Sequence, residues 1–401
     1  MQKVILVGAV AGGLAAVLLG PLLGLVFVLL AALPRGAGMN NAALLTLSLA
    51  LAITGVGFGL PLAWAGWRRL QGYPAWQWLM PAWGWLLIAF VVSLVLGQAA
   101  LAVGLTVFVP IFHILAGALP ALMFVSLTTH RGADLPPRQR IGSLAWGALG
   151  STGLAIFAEL MLLVVAIVAV AVWISVTNPQ LLKSLQAMAL EMQGTGAIPT
   201  GLEPPMDLFR SPLVAGVVLA SIAVVVPLIE EAVKGLVVPL ALMAGAVPSR
   251  HQAFLLGVVS GAGFALLEGI LNGVMALMNP ATWGGLMLVR GGTAAVHCAA
   301  TGFVALGWYA ILVEKRWLRG IGFGLLGVAT HGAWNLAAGA ETLKSLASQG
   351  TSTPGQGLLA GGAIVLMGGV WVAAVAVLFL VARRPEPGET AAVRDQPPLS
   401  G

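Results

Sequence analysis

The chain has 401 residues, of which 59% are hydrophobic and 8% charged, with a mean hydropathy of +1.01. A water-soluble protein of this length needs far more charge to cover its surface, so the composition excludes a soluble enzyme and makes lipid the main solvent. The net charge of +6 does not mark a nucleic-acid surface, because the basic residues fall in short loops between apolar runs. A single cysteine, Cys298, excludes an intramolecular disulfide framework and a cysteine-rich zinc site, and it reads as a small buried hydrophobe.

Apolar stretches long enough to cross a bilayer fall near 4–33, 42–66, 82–101, 104–127, 148–175, 213–245, 252–277, 291–313, 319–340 and 358–382. The first follows Lys3 and is far longer than a signal-peptide core, so it is taken as a span. The expected fold is therefore an all-α, polytopic transmembrane helical bundle of about ten spans. With a cytoplasmic N-terminus, thirteen Lys and Arg residues fall on inside segments. Only Arg35, Lys183, Arg210, Arg290 and Lys344 fall outside, and Lys234 lies within a span. This asymmetry predicts both termini inside.

Five regions follow. Residues 1–176 carry five spans of unknown role, with His113 and Glu159 as their ionisable groups, both read as structural. Residues 177–212 form an extracytoplasmic loop in which Leu181, Leu182, Leu185, Met188, Ala189 and Met192 recur at helical spacing, predicting an amphipathic helix at the interface. Residues 213–340 are the functional core, 341–382 hold a loop and the last span, and 383–401 form a Pro-rich tail expected to be disordered. Gly8 to Gly13 predicts a close helix–helix contact. Arg290 is read as an interface anchor, and Trp283, Trp308 and Trp317 as aromatic-belt residues.

The core concentrates Glu230, Glu231, Lys234, Glu268, His297 and His331 on four spans. Each ionisable group at bilayer depth costs about 2.5–3.5 kcal/mol even on a lenient scale, so these must meet one another or line a wet cavity. Lys234 stands four residues from Glu230 and three from Glu231, which allows intrahelical pairing. Phe264, Glu268 and Asn272 share one helix face, as do His331 and Asn335. Counted from the expected cytoplasmic ends, Glu231, Glu268, His297 and His331 lie 14, 16, 16 and 12 residues in. That is one layer, roughly 18–24 Å deep. Carboxylates with imidazoles hold a divalent metal such as zinc or activate water directly, and Asn335 offers a donor to an oxyanion.

These motifs resemble the PrsW family of intramembrane proteases, within a larger group with the CAAX-prenyl endopeptidases and bacteriocin-immunity-like membrane proteins. The resemblance rests on Glu230-Glu231-Ala232-Val233-Lys234, then Phe264-Ala265-Leu266-Leu267-Glu268, then His297, then His331-Gly332-Ala333-Trp334-Asn335, in order over 213–340. One departure is that Gly269 follows Glu268, with Asn272 a turn later. The resemblance implies an intramembrane endopeptidase, in a bacterial plasma membrane, that acts on membrane-embedded or membrane-anchored proteins. Glu230 or Glu231, with Glu230 preferred, would activate water. Glu268, His297 and His331 would hold a metal or the water, Asn335 would assist, and Lys234 and Phe264 would support the site. Metal-assisted and metal-free routes both remain open. Two rival functions use the same residues: an ion-coupled transporter, and a non-catalytic immunity or scaffold protein.

Overall fold

In the computed structural model, residues 2–32, 41–73, 80–129, 135–177, 212–246, 248–348 and 354–382 are described, with scattered positions between 179 and 190. Among these residues the protein is 93% helical with no strand, so it is an all-α polytopic bundle. Its helices are α1 (Gln2–Ala32), α2 (Asn41–Leu70), α3 (Trp83–Ala102), α4 (Val109–Thr129), α5 (Pro137–Ala145), α6 (Thr152–Thr177), α7 (Pro212–Ala220), α8 (Val226–Gly235), α9 (Val237–Met243), α10 (Arg250–Gly273), α11 (Trp283–Leu312), α12 (Trp317–Ser348) and α13 (Pro354–Ala382). Short π-helical segments, Trp146–Ser151 and Ser221–Val225, join α5 to α6 and α7 to α8. Most of the amphipathic helix expected in 177–212, and the whole tail 383–401, lie outside the described residues.

Nine stretches among the described residues are long and apolar enough to cross a membrane. The remaining expected span, 319–340, lies on α12, which has 32 residues but is diluted by the polar side chains His331 and Asn335. α10 is the hub, with 89% of its membrane-length window buried, against 6% in the 137–177 stretch and 11% in α13. It packs on α4, α5, the Trp146–Ser151 segment and α11. Ser249 and Gln252 start it with a reciprocal capping box (3.2 and 3.0 Å), worth about 0.5–2 kcal/mol.

Small residues set the helix spacing. A Cβ added at Gly20 would stand 2.5 Å from Leu51 O and 2.8 Å from the Cα of Gly55, so α1 and α2 touch backbone to backbone. The expected glycine contact in 8–13 narrows to Gly13 against Gly59, since Gly8 and Gly12 face open space. In the core, Gly147 lies against Ser260 O and Gly263 against Leu144 O, bringing the 137–177 stretch flush onto α10.

α4 ties the N-terminal helices to the core. His113 Nε2 meets Ile270 O at 2.9 Å, and Trp283 Nε1 donates to His113 Nδ1 at 3.0 Å. Gln98 bonds Pro280 O and the N–H of Gly284. His113 thus bridges α4 to α10 and to Trp283. Trp283 departs from the belt reading: it is fully buried, its indole N–H satisfied inside the protein.

Candidate active site

The site is built around a helix that the sequence interrupts. Pro227 has no N–H to give the carbonyls one turn earlier, and the backbone there is π-helical over Ser221–Val225. Asn335 Nδ2 reaches Ile222 O at 3.3 Å, and Gly332 sits against Ala223 O. Beyond Lys234, α8 stops at Gly235 and α9 begins at Val237, with Pro239 in its first turn. The carbonyls left at the end of α8 are met from other helices: Trp146 Nε1 donates to Val233 O (3.1 Å) and Ser260 Oγ to Lys234 O (2.9 Å). Two proline-linked irregularities therefore bracket Glu230, Glu231 and Lys234 and pin that turn on three sides.

The expected residues converge. Lys234 Nζ lies 3.1 Å from Glu230 Oε2, 2.6 Å from Glu231 Oε1 and 2.9 Å from His297 Nδ1. Its ammonium also stands 4.2 Å from the centre of the Phe264 ring, a cation–π contact. His331 Nδ1 is 3.0 Å from Glu231 Oε1, and its Nε2 faces Glu230 Oε2 at 3.8 Å. His297 Nε2 is 2.7 Å from Glu268 Oε2, and the two imidazole rings stand edge to face, 4.5 Å apart. Glu230, Glu231, Lys234, His297 and His331 are all buried.

These partners dictate where the ring protons sit. A lysine ammonium only donates and a carboxylate only accepts. A neutral His297 facing Lys234 through Nδ1 and Glu268 through Nε2 must carry its proton on Nε2. His331 faces carboxylates through both nitrogens, and only Nδ1 is within hydrogen-bond distance, donating to Glu231 Oε1. Each imidazole is thus oriented by one carboxylate, the arrangement that fixes ligand histidines in metal sites.

Glu230, His297 and His331 each offer a ligand atom, all within 4.8 Å of one another. The sequence reading expected Glu268 in that set; the geometry puts Glu230 there, and Glu268 lies behind His297. Two imidazoles with one carboxylate is a donor set used by catalytic zinc. The residues present therefore fit a divalent ion. Lys234 shares two of the donors and would compete with it.

Four further residues bear on the cluster, by contact or by charge. Thr301, one turn along α11 from His297, donates to Glu231 Oε2 at 2.8 Å. Asn272 Nδ2 donates to Glu268 Oε1 at 2.9 Å. Arg290 Nη2 pairs with Glu268 Oε2 at 2.7 Å, so it is turned inward instead of anchoring an interface. Glu159 on α6 has a buried Oε1 with no partner among the described residues and lies in the electrostatic field of Glu230, Glu268 and Lys234. Thr301 and Arg290 sit four residues after and seven before His297, on its helix face, and that spacing was the available signal.

A family model described as PrsW family intramembrane metalloprotease matches residues 135–353. The chain belongs to the PrsW family. No curated protein and no solved structure matches it. In this PrsW protein the matched stretch runs from α5 to α12 and so contains the whole cluster. It also takes in α6 with Glu159, which the four motifs alone did not reach.

Proposed function

We propose that the protein is an intramembrane endopeptidase that hydrolyses membrane-embedded or membrane-anchored protein substrates, with Glu230 as the group that activates water. The observation carrying this reading is the pair of carboxylate-backed imidazoles, Glu268–His297 and Glu231–His331, set against Glu230. Glu230 accepts a proton from water as the water oxygen bonds the scissile carbonyl carbon. It returns that proton to the amide nitrogen as the carbon–nitrogen bond breaks. Lys234 and Phe264 keep two adjacent carboxylates tolerable in an apolar layer. Asn335 stands one turn from His331, where a swing away from Ile222 O would make its amide a donor to the developing oxyanion.

A divalent ion, zinc by the character of the donors, would be held by His297, His331 and one oxygen of Glu230, leaving the other Glu230 oxygen as base, and would supply Lewis-acid polarisation and a more acidic water. Glu231 and Glu268 would orient the two imidazoles from behind. Family membership favours peptidase chemistry over ion-coupled transport or a scaffold role. The test is cleavage of a membrane-anchored substrate by the protein in lipid vesicles, with metal content measured on the same preparation. A folded Glu230→Gln, Glu231→Gln double variant that still cleaves at the wild-type rate removes the proposal.

A further inference from the structure

Glu268 is held from three directions. Its Oε2 takes His297 Nε2 and Arg290 Nη2, each at 2.7 Å, and its Oε1 takes Asn272 Nδ2 at 2.9 Å. Unlike the deep cluster, this carboxylate is 19% exposed, and Arg290 is 16% exposed. Arg290 stands seven residues before His297, two turns along the same face of α11, so its guanidinium reaches across to α10. Among the described residues its Nε is buried without an acceptor. Leaving a buried donor unmade is unfavourable, and a guanidinium free to turn toward water would avoid it.

We propose that Arg290 is a positioning residue of this site: by clamping Glu268 it holds the His297 ring with its proton on Nε2 and its Nδ1 lone pair turned to the buried cluster. The inference rests on reading that cluster as the active site. The mechanism is geometric. His297 owes its orientation to Glu268 on one side and Lys234 on the other. Glu268, partly exposed, has water as a rival for its oxygens, and Asn272 on its own helix holds only Oε1. A charge-assisted bond from Arg290 removes that freedom. Without it the carboxylate swings toward the open side and the ring loses the acceptor that fixes its tautomer. Outer partners of this kind are typically worth about 10–100-fold in activity or metal affinity.

The experiment is nitrogen-15 NMR of histidine-labelled protein in lipid. With five histidines in the chain, the His297 ring is assigned by loss of its signals in His297→Gln. The wild type is expected to show one His297 tautomer, protonated on Nε2. Arg290→Gln should show mixed tautomers and a kcat lowered by about tenfold or more, with KM much less affected. Arg290→Lys should recover most of the wild-type signature. Should Arg290→Gln fail to fold, Arg290→Ala serves instead: added guanidinium ion, able to enter this partly exposed position, should restore the signature where sodium does not. An unchanged His297 signature in a folded Arg290→Gln, or no recovery by guanidinium in Arg290→Ala, overturns the proposal. The NMR arm needs no cleavage assay. A wild type that cleaves nothing while its His297 signature tracks Arg290 defeats the peptidase reading and leaves the clamp standing.

Discussion

The α1–α2 hairpin and the α8, α10, α11, α12 cluster are assembled by the same device and put it to opposite uses. Both bring helices together at glycines: Gly20 against Gly55 in the hairpin, Gly261 against His297 O and Gly332 against Ala223 O in the cluster. In the hairpin the close approach brings backbone against backbone and small side chains, and its other faces are exposed leucines and valines. In the cluster it lets short carboxylate and imidazole side chains meet at hydrogen-bonding distance. Close packing is thus the general means of joining helices in lipid. What distinguishes the cluster is the charge placed within reach of it, and each test below removes one half of that combination.

The largest effect should come from removing the group that handles the proton. Glu230→Gln keeps the shape of the side chain, so folding should survive while turnover falls by about 10²–10⁴-fold, the usual worth of a general base. Single-turnover cleavage in vesicles measures it. Next is Lys234, which satisfies two carboxylates and His297 at once. Lys234→Met leaves buried charges uncompensated, so stability should drop by about 3–5 kcal/mol. An unfolding midpoint within error of the wild type would show that the ammonium is dispensable to the cluster.

Much of this arrangement was legible in the sequence, and the reason is the membrane. An ionisable residue in a long apolar run stands out, so Glu230, Glu231, Lys234, Glu268, His297 and His331 could be picked out before any contact between them was known. The all-α bundle was legible for the same reason. Arg290 and Thr301 were missed because each has a common bland reading, an interface cation and a helix hydroxyl. Only the contact across to α10 or α8 distinguishes them. The candidate ligand set differs between the sequence, which put Glu268 in it, and the structure, which groups Glu230 with the two histidines. Spacing shows which residues share a helix face but not which nitrogen of a histidine looks where, so Glu268 and Glu230 could be ordered only by coordinates. Trp283 misled because a tryptophan beside a span end usually marks the interface, and here it closes over His113.

A smaller effect is expected at Thr301, whose hydroxyl bonds Glu231 from the side opposite the ammonium. Thr301→Val preserves volume and leaves one carboxylate oxygen short of a donor, at a cost of about 1.5–3 kcal/mol for a bond to a charged group. Turnover should fall along with stability if Glu231 is what holds His331 in place. A variant that loses stability and keeps full turnover would separate Glu231 from the chemistry.

The last test belongs to the hairpin, where packing acts without charge. Gly20→Val puts new atoms against Leu51 O and Gly55 Cα, neither of which can yield without moving a helix axis. Overpacking of this kind costs about 1–3 kcal/mol. The strain can be relieved locally, because α1 packs chiefly on α2 and has a buried fraction of only 11%. The expected result is easier proteolysis near the α1–α2 connection, with turnover unchanged. If turnover fell as well, the N-terminal helices would be coupled to the cluster, and the route to examine would be α2 through α4 and the His113–Ile270 contact into α10. Adding His113→Gln to Gly20→Val measures that coupling. If the loss in the double variant equals the sum of the single losses, the two regions share a membrane and a chain but no mechanism.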